Sequence, residues 1–199
     1  MDAQRPAAAP AQPGAVRIVG GRWRRSVLPV PAVPGLRPTP DRVRETLFNW
    51  LGQDLSGWRC VDAFAGSGAL GLEAASRGAA PVWLFERDPR LVRNLQQQVQ
   101  RLQADAVQVR QADALGALAS LAPQSQDLVL LDPPFDGPLF EPALAQAARL
   151  VPPGGWVYLE APRPWPDDAL AALGLSCWRH LRAGAVHAHL LQRLPSPTS

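Results

Sequence analysis

Arg59-Cys-Val-Asp-Ala-Phe-Ala-Gly-Ser-Gly-Ala-Leu-Gly-Leu-Glu-Ala-Ala-Ser-Arg77 contains, in order, a short apolar run, a glycine turn and a helix-forming segment. The run from Arg59 to Phe64 has the character of a buried strand, and the helical pattern from Ala69 to Arg77 is closed by Gly78. Between them, Gly66-Ser-Gly-Ala-Leu-Gly71 matches the spacing G-x-G-x-x-G. There, glycine lets the backbone pass close to a ligand, and the helix N-terminus that follows favours negative charge. The same spacing also serves a plain tight turn, so its meaning depends on its surroundings.

Downstream, the strand-then-helix unit recurs. Val82 to Glu86, Val107 to Arg110, Asp127 to Asp132 and Trp156 to Glu160 read as strands, with helices at Pro89 to Leu102, Ala114 to Leu121 and Leu139 to Leu150. Such alternation builds a parallel sheet covered by helices on both faces. After a short helix near Asp167 to Leu173, the strands Ser176 to Leu181 and Val186 to Leu191 are separated by a turn at Ala183-Gly184, a gap that permits only an antiparallel hairpin. The expected fold is therefore α/β and Rossmann-like, a seven-stranded, mostly parallel sheet with a C-terminal antiparallel hairpin. Upstream, Val43, Leu47, Phe48 and Leu51 form a helical stripe from Asp41 onward, stopped by Gly52, with Thr39 or Asp41 as the expected N-cap.

Acids punctuate the strand ends. Asp62 lies four residues before Gly66, where a carboxylate suits the cationic methionine end of S-adenosylmethionine better than a pyrophosphate. Glu86 follows Gly66 by twenty residues, the position at which a carboxylate accepts hydrogen bonds from ribose hydroxyls. Asp113 ends the third strand and could accept an adenine amino group; equally, it is a natural helix cap. Taken singly each acid has an ordinary explanation, but three at successive strand ends converge on the crevice where open α/β sheets bind ligands.

Asp132-Pro-Pro-Phe135, after the fourth of these strands, is the most specific signal. The lone pair of an aromatic amine is delocalised into its ring, so methylating it requires a site that orients the NH2 group and stabilises charge on nitrogen. Asp132 can accept one N–H, the Pro133 carbonyl the other, the prolines stiffen that backbone, and Phe135 can stack on a base that is unpaired or flipped out. A stiff strand-ending turn alone would not require an acid and an aromatic to bracket it.

With these residues assembled, the chain resembles the RsmD family of 16S ribosomal RNA guanine-N2 methyltransferases, from about Arg17 to Leu194. Three blocks carry the resemblance: Ile18-Val-Gly-Gly-Arg-Trp23 with Leu36-Arg-Pro-Thr-Pro-Asp-Arg-Val-Arg-Glu-Thr-Leu-Phe-Asn-Trp50, Asp62-Ala-Phe-Ala-Gly-Ser-Gly-Ala-Leu-Gly-Leu-Glu73, and Asp132-Pro-Pro-Phe135. The last two indicate an amino-methyltransferase; the first narrows it to this family. The resemblance implies a class I methyltransferase fold and a reaction carried by Asp132, Pro133, Pro134 and Phe135. It implies S-adenosylmethionine held by Thr39, Asp62, Phe64, Ala65, Gly66, Ser67, Gly68, Glu86, Arg87, Asp113, Ala114 and Asp132. The implied substrate is one guanine of 16S ribosomal RNA in a partly assembled or assembled small subunit, with the Arg37 to Arg44 segment closing over cofactor and RNA. No metal is implied.

Composition agrees. At 199 residues and 47% apolar content the chain fits one core, so a single domain over 16–194 is expected, with a basic N-terminal arm at 16–40. The net charge is only +3, and all twenty basic residues are Arg. Arg17, Arg22, Arg24, Arg25, Arg37, Arg42 and Arg44 crowd a stretch whose only acid before Glu45 is Asp41; of these, Arg22, Arg24, Arg25, Arg37, Arg42 and Arg44 are the candidate RNA contacts. Codon bias and a solvated basic arm would give a similar cluster. The Pro/Ala-rich 1–15 and the tail 195–199 are expected to be disordered. Cys60 and Cys177 form no disulfide framework, there is no secretory h-region and no stretch of about 18 apolar residues, so a cytoplasmic, non-membrane protein is expected, as a monomer. A DNA amino-methyltransferase would need a target-recognition region that this length leaves little room for. A nicotinamide dehydrogenase lacks a catalytic His or Lys here, since His180, His187 and His189 all fall in the terminal hairpin. An RNA-binding assembly factor without catalysis is separated from an enzyme by replacing Asp132.

Overall fold

A computed structural model describes residues 14–36 and 38–195. Two strands, β1 (Gly14–Arg17) and β2 (Val27–Val30), pair antiparallel as a separate hairpin. The main sheet comprises β3 (Cys60–Asp62), β4 (Val82–Glu86), β5 (Val107–Gln111), β6 (Leu128–Leu131), β7 (Trp156–Ala161), β8 (Leu175–Ala183) and β9 (Val186–Arg193). Its order is β5-β4-β3-β6-β7-β9-β8, with β3 to β7 mutually parallel and the β8–β9 hairpin antiparallel. The expected seven-stranded sheet is thus present, and β9 rather than β8 joins it to β7.

Strand alternation divides the interior into two layers. Leu128 and Leu130 of β6 face one hydrophobic cluster, and Val129 and Leu131 face the other. The first layer is covered by α1 (Asp41–Trp50), α2 (Ala69–Ser76) and α3 (Pro89–Leu102); the second by α4 (Ala114–Ser120), α5 (Phe140–Leu150) and α6 (Asp167–Ala172). α3 shows how local sequence sets these elements. Asp88 caps it by accepting the Arg90 N–H, Pro89 opens it, and Leu91, Val92, Leu95, Gln98 and Leu102 supply the buried stripe.

The expected arm proves to be folded. Between β1 and β2 the chain clamps onto α2: Val19 and Gly20 N–H groups donate to Glu73, and Arg22 N–H to the Ser76 carbonyl. Gly21 sits at φ +74° with a Cβ position 1.9 Å from the Ser76 carbonyl oxygen, so only glycine fits this approach. The Gly20-Gly21 pair thus earns its place by packing. Gly14 and Ala15, expected in the disordered extension, belong to β1, and Pro195 is described; 1–13 and 196–199 lie outside the described residues.

Two further expectations are corrected. Neither Thr39 nor Asp41 caps α1; the cap position is Pro40, because the Thr39 hydroxyl is drawn to Glu160 and the Asp41 carboxylate to Arg44. Arg44 is not an RNA contact. Its side chain is fully buried, pairs with Glu73 at 2.9 Å and with Asp41, and donates to the carbonyls of Thr39 and Arg17. It locks the arm to α1 and α2. Among the described residues, no helix is long and apolar enough to cross a membrane.

Candidate active site

The chain runs outward from β3 to β5 and then back past β3 to β6 and β7, so the direction of progression reverses between β3 and β6. At such a switch point the strand ends open a crevice. Read along the sheet order, the carboxyl edge carries Asp113 after β5, Glu86 on β4, Asp62 on β3, Asp132 after β6 and Glu160 on β7. β6 and β7 pair through Leu131 and Leu159, so Asp132 and Glu160 stand side by side one residue further on.

Asp62 is almost wholly buried. Its Oδ2 accepts the Gly71 N–H at 3.0 Å, while Oδ1 has no partner. Burial raises its pKa to about 7, against the hydrogen bond from Gly71 that lowers it. The side chain therefore gains from a cationic or N–H-bearing ligand. Glu86 ties the glycine turn to β4, accepting the Gly66 N–H at 2.9 Å through Oε2 and the Asp88 N–H through Oε1. Ser67 is buried under the turn, Phe64 packs into the second core layer, and Ala65 N–H is tied to the Phe85 carbonyl.

The three glycines do different work. A Cβ on Gly68, at φ +80°, would stand 2.6 Å from Leu95, and one on Gly71 would stand 2.2 Å from Leu84, so both are demanded by packing. Gly66 alone meets the arm, where an added Cβ would touch Leu36 at 3.0 Å. Asp113 accepts the Gly116 N–H at 2.9 Å as the cap of α4, with Ala114 buried behind it and its own side chain exposed. Arg87 is exposed after β4.

Asp132 is half-buried, and Pro133 is buried beneath it while Pro134 and Phe135 face solvent. Burial first, and then the negative charges of Glu160 and Asp62, push the Asp132 carboxyl well above the usual range. Glu160 is raised too, by burial, although hydrogen bonds from the Thr39 hydroxyl at 2.6 Å and the Tyr158 hydroxyl at 2.9 Å, and the charge of Arg44, work against that rise. Three carboxylates thus share one shielded edge. Among the described residues no group of three or more His, Cys, Asp or Glu is suited to hold a metal ion.

The structure therefore brings Thr39, Asp62, the Gly66 turn, Glu86 and Asp132 to one crevice, and leaves Asp113 as a cap at its margin. Arg22, Arg24, Arg25 and Arg42 are exposed, Arg44 is internal, and Arg37 lies outside the described residues. Glu160 and Tyr158 were missed by sequence reasoning. The signal was present: Glu160, like Asp62, Glu86 and Asp132, is an acid near the end of an apolar strand, but its partner Thr39 is 121 residues away in sequence. Phe135, Phe140 and Trp165 together line a cleft of about 520 Å³ beside the site.

Comparison with known proteins places this geometry. The family described as conserved hypothetical protein 95 matches residues 16–192. The chain is 45% identical over 148 residues to ribosomal RNA small subunit methyltransferase D of Escherichia coli K12, covering 74% of this chain and 72% of that protein. It is 40% identical over 158 residues to the protein of the same name from Haemophilus influenzae, covering 77% and 82%. A solved structure of a putative methyltransferase from Escherichia coli superposes with a TM-score of 0.77 at 36% identity, over 91% of this chain and 99% of that one. A putative methylase from Haemophilus influenzae superposes with a TM-score of 0.75 at 34% identity, over 92% and 100%. The fold is that of class I methyltransferases, and the chain, similar to the small-subunit ribosomal RNA methyltransferases D, belongs to the conserved hypothetical protein 95 family.

Proposed function

We propose that this chain transfers a methyl group from S-adenosylmethionine to the exocyclic N2 amino group of a guanine in 16S ribosomal RNA, acting in the cytoplasm on an assembling or assembled small subunit. The observation that carries this reading is the placement of Asp132-Pro-Pro-Phe135 at the switch point, next to the partnerless Oδ1 of buried Asp62.

The residues present fit the methyl donor. Asp62 Oδ1 is an orphaned buried acceptor that a cationic amino group would satisfy, and Gly66 keeps the turn free of a side chain beneath Leu36. Asp62 and the Gly66 turn would hold the methionine end, with Glu86 and Asp113 towards the nucleoside. When bound, the cofactor supplies an electrophilic methyl group. The protein's part is orientation and proton management. Asp132 accepts one N–H of the guanine amine and the Pro133 carbonyl the other, which turns the nitrogen lone pair out of conjugation. As nitrogen gains the methyl group it must lose a proton; the positive charge of the bound donor would favour the ionised form of Asp132, whose carboxylate is then placed to accept that proton. Phe135, 38% exposed, covers the face of the base. Exposed Arg22, Arg24, Arg25 and Arg42 contact phosphates.

Nucleoside mass spectrometry of small-subunit particles from a strain lacking the enzyme, incubated with purified protein and S-adenosylmethionine, tests the reading. N2-methylguanosine is expected; cofactor binding without a new methyl mark would point to another nucleic acid or to a non-catalytic role.

A further inference from the structure

The cleft beside Phe135 is not accounted for by the reaction. Its walls are Phe135, Phe140 and Trp165, closed by Gly137, Pro138, Glu141, Pro162 and Arg163, and its volume of about 520 Å³ lies within the range of roughly 300–1,000 Å³ typical of ligand pockets. The aromatic rings form a continuous series, with centroids 6.3 Å apart from Phe135 to Phe140 and 5.7 Å from Phe140 to Trp165. Phe135 belongs to both the cleft and the catalytic tetrapeptide, whereas Asp132 and Pro133, which must touch the reacting amine, do not line the cleft. The cleft therefore extends beyond the atoms that must hold the reacting amine, with room for more than the target base.

We propose that the cleft is a subsite for the unpaired nucleotide adjacent to the target guanine on the same RNA strand; this rests on the function proposed above. Three observations favour that occupant. Exposed aromatic faces bind any nucleobase, and a neighbour on the strand reaches the cleft because Phe135 lies between the two positions. Exposed Arg163 stands at the rim, in no ion pair among the described residues, where the nucleotide's phosphate needs a counter-charge. Trp165 Nε1–H is buried without an acceptor, which a base carbonyl or ribose oxygen would satisfy.

The subsite is preorganised. Pro162, Pro164 and Pro166 stiffen the segment that carries Trp165, and the Trp165 backbone N–H donates to His189 Nε2 at 3.1 Å. His189 is itself buried, with Nδ1 3.3 Å from the Leu159 carbonyl oxygen, so the aromatic wall is anchored to β9 and β7. Little ordering is left for the bound nucleotide to impose.

The test uses a short single-stranded RNA with one guanine, in which 2-aminopurine replaces the nucleotide on either side in turn. Titration with the full chain is expected to quench one flanking position saturably. Phe140→Leu and Trp165→Leu should abolish that quenching and raise KM for small-subunit particles about 5- to 100-fold with kcat within about threefold, the range expected for one lost stacking contact. Arg163→Gln, at an exposed site where misfolding is no concern, should weaken binding and lower the salt slope by about 1. Quenching at neither flanking position while methyl transfer proceeds, or quenching untouched by all three variants, overturns the subsite. Intact quenching without methyl transfer to guanine by the unaltered chain would instead overturn the proposed reaction and leave a single-strand binding cleft.

Discussion

Glu73 and Asp132 belong to two clusters of internal charge that are built in opposite ways. Around Glu73 everything is paired: Arg44 at 2.9 Å, Arg77 at 3.0 Å, and the N–H groups of Val19 and Gly20, with the carboxylate wholly buried. Around Asp132 the neighbours are Glu160 and Asp62, all of one sign, and Asp62 Oδ1 has no partner at all. The first arrangement fastens the arm and α1 to α2. The second stores unfavourable charge at a crevice, where a cationic or N–H-rich ligand relieves it. Residue type does not distinguish them; the completeness of pairing does.

The largest expected effect breaks the first cluster. Glu73→Ala strands Arg44 and Arg77 in the interior and should lower stability by about 3–5 kcal/mol in urea denaturation; a loss under about 1 kcal/mol would mean that the node does not hold the arm. Asp132→Ala should do the reverse, leaving stability unchanged or raised while turnover falls roughly 100- to 1,000-fold, with cofactor affinity nearly intact. Equal losses of binding, measured by calorimetry, and of radiolabel transfer would remove its assignment to the chemical step.

Protonation sharpens the same contrast. The folded-state pKa of Asp62, about 7, lies above its ordinary value of 3.8, so its stabilising contribution is complete below 3.8 and lost as pH rises through about 7. The free protein should therefore lose melting temperature between about pH 4 and pH 7 by an amount that Asp62→Asn abolishes. Over the same window the affinity for S-adenosylmethionine should rise, because the bound ammonium favours the ionised carboxylate, whereas 5′-methylthioadenosine, which lacks that end, should show no such trend. The smallest effect concerns the exposed arginines. Changing Arg22, Arg24 and Arg25 together to Gln should weaken RNA binding and lower its salt slope by up to about 2 without altering the melt. An unchanged slope would leave them as solvated surface.

Much of the candidate site was legible because its signals are local. Asp62 and Gly66 are fixed by one strand-turn-helix unit, and Asp132 to Phe135 by one tetrapeptide. Arg44 was misread because an arginine in a basic run looks the same whether it faces solvent or Glu73, which is 29 residues away. Glu160 was overlooked because its value lies in Thr39, Tyr158 and Asp132, brought to it by strand pairing and by the arm. The β1–β2 hairpin was also missed, since four-residue strands divided by an arginine-rich loop leave little periodicity to read.

The sequence by itself determined the alternating order of strands and helices, the glycine turn, the strand-end acids and the Asp132-Pro-Pro-Phe135 tetrapeptide, because hydrophobic period and turn chemistry act over a few residues. Only the tertiary structure decided which charges are paired and which are left facing one another. It set β6 beside β3, Asp132 beside Glu160, and Arg44 against Glu73, because partners distant in the chain meet only when the sheet and its helices close over a common interior.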